Sequence, residues 1–170
     1  MGFFSRLMGG SDEQKTVASE FEILAPVSGE LVHLENTNDP AFSSRAVGDG
    51  VAVVPQEGTV CAPVSGTVAA LFPTEHALGI MSDDSSAQVM LHIGIDTVKL
   101  EGKGFHALVA QGDHVDAGQP LVEVDFDAVR AAGFDPTVFV IVCERSENST
   151  LREHASGPVA VKEPVVWLSE

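Results

Sequence analysis

From Glu20 onward, short runs rich in Val, Ile, Leu and Phe are separated by clusters of Gly, Pro, Asn and Asp. That punctuation is the signature of strands and turns. The runs Phe21–Leu24, Glu30–Leu34, Val51–Pro55, Gly66–Phe72, Gln88–Ile95, Leu121–Val124 and Val138–Val142 are each predicted to be a strand. A helical period is confined to Asp127–Ala132, closed by Gly133 and Pro136, and to Ala41–Val47. Many short strands with two helical turns predict an all-β fold, an antiparallel sandwich or barrel-like arrangement.

One phrase occurs twice. Ala25-Pro26-Val27-Ser28-Gly29 returns 37 residues later (62 − 25) as Ala62-Pro63-Val64-Ser65-Gly66, and a strand-like run follows each copy. Proline fixes φ and glycine permits a turn, so each copy reads as a tight entry into a strand. Two copies predict one domain, residues 20–170, built from two related halves whose strands pair across a pseudo-twofold axis. A shorter echo, Gly48-Asp49-Gly50-Val51 against Gly112-Asp113-His114-Val115, reads as a turn before a strand.

Residues 1–19 read as a flexible tail. Phe3, Phe4, Leu7 and Met8 would share one side of a helix, but so short a helix does not persist alone in water. With Arg6 nearby, the tail is expected to make at most weak contact with a membrane surface. The opening MGFFSRLMGG turns polar too quickly for a secretory signal, and no apolar run approaches a membrane span. A cytoplasmic protein is expected.

Charge narrows the partners. Nine Lys+Arg against 25 Asp+Glu leave a net charge of −16, which argues against nucleic acid and suits basic protein partners. Cys61 and Cys143 both lie in apolar surroundings and are read as buried thiols.

Two of the six histidines stand out. In Gln88–Asp96, period-2 alternation puts Val89, Leu91, Ile93 and Ile95 on the core face, and Gln88, Met90, His92, Gly94 and Asp96 on the other. Gly94 would leave space beside the His92 ring. His76 follows Thr74 by two residues, so in an extended segment the hydroxyl could fix the imidazole tautomer. The midpoint of 76 and 92 is 84, inside the polar stretch Ser82-Asp83-Asp84-Ser85. A hairpin centred there would set the two imidazoles face to face. Such a pair can bind a metal, relay a proton or carry a phosphoryl group. No Gly-rich phosphate loop or kinase signature accompanies it.

The phrases APVSGELVHL, AVGDGVAV, APVSGTVAALFPTEHALGI, LHIGIDTVKLEGKGF and GDHVDAGQPLVEVD resemble the glucose-family enzyme IIA component of the bacterial phosphoenolpyruvate:sugar phosphotransferase system. Together they span roughly Phe21 to Val142, and the closing GPVAV strand fits more loosely. The resemblance implies a β-sandwich phosphocarrier. His92 would be phosphorylated and His76 would stabilise the phosphoryl group. Thr74 would orient His76, and the Gly94 carbonyl would orient His92. The donor would be phospho-HPr and the acceptor a cysteine of an enzyme IIB domain. Regulatory permeases or glycerol kinase are further partners in some lineages, and the carrier is expected to be a monomer. Phe42, Val47, Phe72, Met81 and Met90 are candidates for an apolar rim, with Asp39 and Asp96 steering a basic partner. Met90 stands where relatives often carry an aromatic residue. No cofactor is required, although His76 and His92 could hold zinc in a partner complex.

Two other readings compete. His92-x-x-x-Asp96 has the spacing of half a zinc peptidase site, but no H-x-H pair supplies the other half. A lipoyl- or biotin-type carrier needs a lysine at a hairpin tip, and Lys99 and Lys103 in KLEGKGF lack the expected flanks.

Overall fold

A computed structural model describes residues 20–170; the N-terminal tail, with its expected membrane contact, lies outside the described residues. The first half of the fold contains β1 (Phe21–Leu24), β2 (Gly29–His33), a 3₁₀ turn (Leu34–Asn36), α1 (Pro40–Ser43), β3 (Asp49–Pro55), β4 (Thr59–Cys61), β5 (Gly66–Leu71), β6 (Ala77–Ser82) and β7 (Ala87–Ile93). A second 3₁₀ turn (Thr97–Leu100) leads to β8 (Phe105–Ala107), β9 (His114–Val115), β10 (Pro120–Val124), α2 (Phe126–Ala131), β11 (Val138–Arg145), β12 (Thr150–Glu153), β13 (Gly157–Val159) and β14 (Pro164–Ser169).

Among the described residues every strand pairing is antiparallel. An eight-stranded sheet runs β13-β2-β3-β11-β7-β6-β5-β9, and two three-stranded sheets run β1-β14-β12 and β4-β10-β8. No barrel closes. Apolar residues of all three sheets merge into one core, among them Ile23, Leu31, Val60, Leu78, Leu91, Val122, Val140 and Val166. The expected all-β sandwich is therefore present.

The duplication is visible in the hydrogen bonds. Leu24 donates to the Pro63 carbonyl, and its counterpart Cys61 donates to the Pro26 carbonyl. Ser28 O accepts from Gln56, and Ser65 O accepts from Asp83. The two serine hydroxyls accept in turn from the backbone of Val161 and of Ala117. Strands β2 and β5 do not pair with each other; they occupy matching places on either side of the central β11–β7 ladder. The repeated phrases themselves meet across the pseudo-axis.

The second helical turn, α2, keeps the expected length with its bounds shifted by one residue, but the first is shorter than the sequence pattern suggests. α1 begins at Pro40, capped by the Asp39 side chain on the Ala41 N–H at 2.9 Å, and ends at Ser43. Arg45 then enters the left-handed region, so the helix stops before Val47. The Arg45 guanidinium binds Glu35, Asp49 and Glu153, tying this segment to β3 and β12.

Candidate active site

β6 and β7 form the expected hairpin, with one correction to its register. Ala77, not His76, lies opposite His92. The loop holds four residues, 83–86, so its centre falls between 84 and 85. Ser82 anchors it, with its hydroxyl on the Asp84 carboxylate and accepting the Ala87 N–H.

His76 still reaches His92, by another route. The chain from Phe72 to His76 is a turn, not an extended strand: Glu75 donates to the Phe72 carbonyl at 2.8 Å and adopts φ +61°. This turn breaks the pleat and brings the His76 ring beside that of His92. The two imidazole centroids are 5.1 Å apart and nearly perpendicular, at 84°. Thr74 Oγ1 lies 2.6 Å from His76 Nδ1, as expected from their spacing.

His92 Nδ1 donates to the Gly94 carbonyl at 2.8 Å. A carbonyl only accepts, so Nδ1 carries the hydrogen and the neutral ring leaves Nε2 as a bare lone pair. Gly94 sits at φ +82°, and a Cβ there would come within 2.3 Å of Thr97 Cγ2. The glycine therefore serves the backbone; the space expected beside the ring is filled by Thr97. Its positive φ also ends the alternation. Ile95 packs with Met90 in the second apolar cluster, not in the main core.

The ring environment is mostly apolar. Phe42 is tilted against His92 at 5.1 Å and stacks on Phe139 at 4.4 Å. Phe72 is tilted over His76 at 5.6 Å and is itself 49% exposed. His76 retains only 4% of its surface. Burial, assisted by the neighbouring His92, pushes the His76 pKa down to about 4. Burial also lowers that of His92, against the opposing pull of the Gly94 carbonyl and the Asp39 and Asp96 carboxylates. Both rings are thus neutral at neutral pH.

The other candidates are scattered around this pair. Met90 shares the outward face of β7 with His92, half-buried. Val47 is exposed at 40%, past the end of α1. Met81 pairs with Gln88 near the hairpin loop, roughly 13 Å along the ladder from His92 at about 3.3 Å per residue, and does not reach the imidazoles. Asp96, left-handed at φ +60°, lies 3.9 Å from Lys99 and not against the rings as a third ligand. Among the described residues, no group of three His, Cys, Asp or Glu could hold a metal ion. Cys61 is buried and Cys143 half-buried, both free, and burial raises both thiols.

Glu75 was not signalled by the pattern: its carboxylate accepts the Ala107 N–H of β8 at 2.9 Å.

Comparison with known proteins shows the family. Residues 21–148 match the family described as phosphoenolpyruvate-dependent sugar phosphotransferase system, EIIA 1. The chain is 42% identical over 144 residues to the PTS system glucose-specific EIICBA component of Streptococcus pneumoniae, covering 85% of this chain and 20% of that protein. It is 39% identical over 170 residues to the PTS system beta-glucoside-specific EIIBCA component of Bacillus subtilis, covering 99% of this chain and 28% of that one. The chain thus spans a fifth to somewhat over a quarter of these relatives. The solved glucose permease IIA from Mycoplasma capricolum superposes with a TM-score of 0.81 at 34% identity, covering 88% of this chain and 96% of that one. Among the described residues no helix is long and apolar enough to cross a membrane. The chain belongs to the EIIA 1 family of the phosphoenolpyruvate-dependent sugar phosphotransferase system, as one of its phosphoryl-carrying components.

Proposed function

We propose that His92 Nε2 accepts a phosphoryl group from phospho-HPr and passes it to a cysteine of an enzyme IIB domain, in the cytoplasm. The observation that carries this reading is the perpendicular histidine pair with both Nδ1 atoms engaged, 5.1 Å between centroids. In uptake, the Nε2 lone pair forms the N–P bond as the donor's P–N bond breaks, and the donor imidazole recovers its electron pair. In delivery, a thiolate sulfur forms the S–P bond and His92 leaves as the neutral ring. The transition state spreads charge over three equatorial oxygens, so alignment and donors dominate catalysis.

With the Thr74 hydroxyl donating to Nδ1, His76 presents Nε2–H to those oxygens. Its depressed pKa keeps it a neutral donor that does not compete as a cation. Phe42, Phe72 and Met90 form a dry rim that slows hydrolysis, while Asp39 and Asp96 attract a basic donor. No metal is required by this chemistry; zinc on His76 and His92 would need further ligands lent by a partner. The relatives' names, EIICBA and EIIBCA, join the A component to a B component and so support a IIB acceptor. Their differing sugars leave the transported sugar to the partner.

The test combines the protein with phosphoenolpyruvate, enzyme I and HPr. The expected result is an acid-labile mass gain of one phosphoryl, abolished in His92→Ala. His76→Ala should still label at His92 but fail to transfer onward. A label on His76 or a cysteine would overturn the assignment.

A further inference from the structure

We propose that Glu75 is a positioning residue for His76, clamping the turn that carries it onto β8; this deepens the reading of His76 as the phosphoryl stabiliser and rests on it.

Glu75 stands between Thr74 and His76, with its backbone at φ +61°. Residues with a Cβ rarely enter that region, and glutamate has no local hydrogen bond that draws it there as asparagine does. Its surroundings must therefore hold it. Two contacts do so. The Glu75 N–H binds the Phe72 carbonyl at 2.8 Å, closing the turn from within. The carboxylate reaches 32 residues along the chain to the Ala107 N–H at 2.9 Å, closing it from outside. Ala107 is paired on β10 with Val122, a fully buried core residue, so the clamp ends on a rigid strand.

Segment 94–107 serves both rings. It starts at Gly94, whose carbonyl holds His92, and ends at Ala107, whose N–H holds Glu75. Between them Gly102 lies beneath the turn, its Cβ position 3.8 Å from the Thr74 carbonyl. The nucleophile and its helper are thus referenced to one piece of backbone. Without the carboxylate, the turn would keep its internal bond, the Phe72 N–H on the Ala77 carbonyl and the Ile93 N–H on the His76 carbonyl, but it would lose its tie to β8, and the ring would lose its fixed bearing on His92.

The experiment compares wild type with Glu75→Ala, Glu75→Gln and Glu75→Asn. It reads the ¹⁵N signals of the His76 ring in the unphosphorylated protein, phosphoryl uptake from phospho-HPr, onward transfer to a IIB domain, and the unfolding midpoint. Glu75→Ala should shift the His76 signals and slow onward transfer about tenfold, because small misplacements of a catalytic group are costly. Uptake at His92 should stay within about twofold of wild type, and the midpoint should move little. Glu75→Gln keeps an acceptor of the same length and should restore both readouts. Glu75→Asn favours the left-handed backbone but is too short to reach β8, so it should behave like alanine. Unchanged His76 signals in Glu75→Ala, no rescue by glutamine, or full rescue by asparagine would each overturn the clamp. Failure of wild type to take up phosphoryl would instead overturn the phosphocarrier reading, and the ring signals would still decide the role of Glu75.

Discussion

Holding an imidazole neutral inside a protein has a cost that pH exposes. The unfolded chain protonates His76 near pH 6.5, whereas the folded chain resists until about 4. The stabilising contribution is therefore complete above pH 6.5 and is lost as pH falls toward 4, by on the order of 3 kcal/mol. His92 adds in the same direction. We expect His76→Gln to flatten the decline without abolishing it. Urea midpoints at neutral pH and across the acid range would check this; parallel curves for wild type and variant would refute it. Asp39 acts at the same scale in two ways, as cap and as charge. Asp39→Ala should cost about 1 kcal/mol through the lost α1 cap. Asp39→Asn should keep the cap and recover that stability, yet still slow association with a basic donor and weaken its salt dependence. Denaturant titration and stopped-flow association separate the two roles.

The hairpin is the element that the sequence described best and still misplaced by one residue. Alternation in β7 was legible because Val89, Leu91 and Ile93 are all fully buried while Gln88, Met90 and His92 on the opposite face are only half-buried. The register was not legible, because it depends on whether the loop closes over an odd or an even number of residues. Ser82 decides that with its hydroxyl, a contact no hydropathy pattern contains. The turn before β6 was equally hidden. A glutamate carries no propensity for φ +61°, and its partner Ala107 is remote in the chain. Strands β4, β8, β9 and β13 have three residues or fewer, too few for alternation to show. Thr74 could be set beside His76 from local spacing, two residues away, whereas the Gly94 carbonyl contact is implied only by the family resemblance; spacing alone suggests open space beside the ring.

At the scale of the whole molecule, the repeated phrase makes two demands that should prove equal. A Cβ on Gly29 would come within 1.9 Å of the Val54 carbonyl, and one on Gly66 within 2.0 Å of the Met81 carbonyl. Both obstacles are backbone and cannot swing aside. Gly29→Ala and Gly66→Ala should each destabilise by roughly 3 kcal/mol or more, within about 1 kcal/mol of each other. A harmless alanine at either place, measured by thermal unfolding, would show that the halves are alike in sequence but not in packing. The family resemblance could name the sandwich, but the matched strand order on either side of β11 and β7 emerges only from pairings far apart in sequence.

That pairing has a consequence for the nucleophile. The central ladder sets His92 against Phe139 and Met90 against Ile141. Exchanging β7 and β11 about the pseudo-axis carries the first couple onto the second, so Ile141 holds the place of His92 and is wholly enclosed. The architecture offers the same socket twice: one is plugged with hydrocarbon, the other fitted with a reactive ring. Ile141 is thus a built-in blank for the experiment at position 92, marking what the scaffold alone asks of that spot; the rest is owed to chemistry.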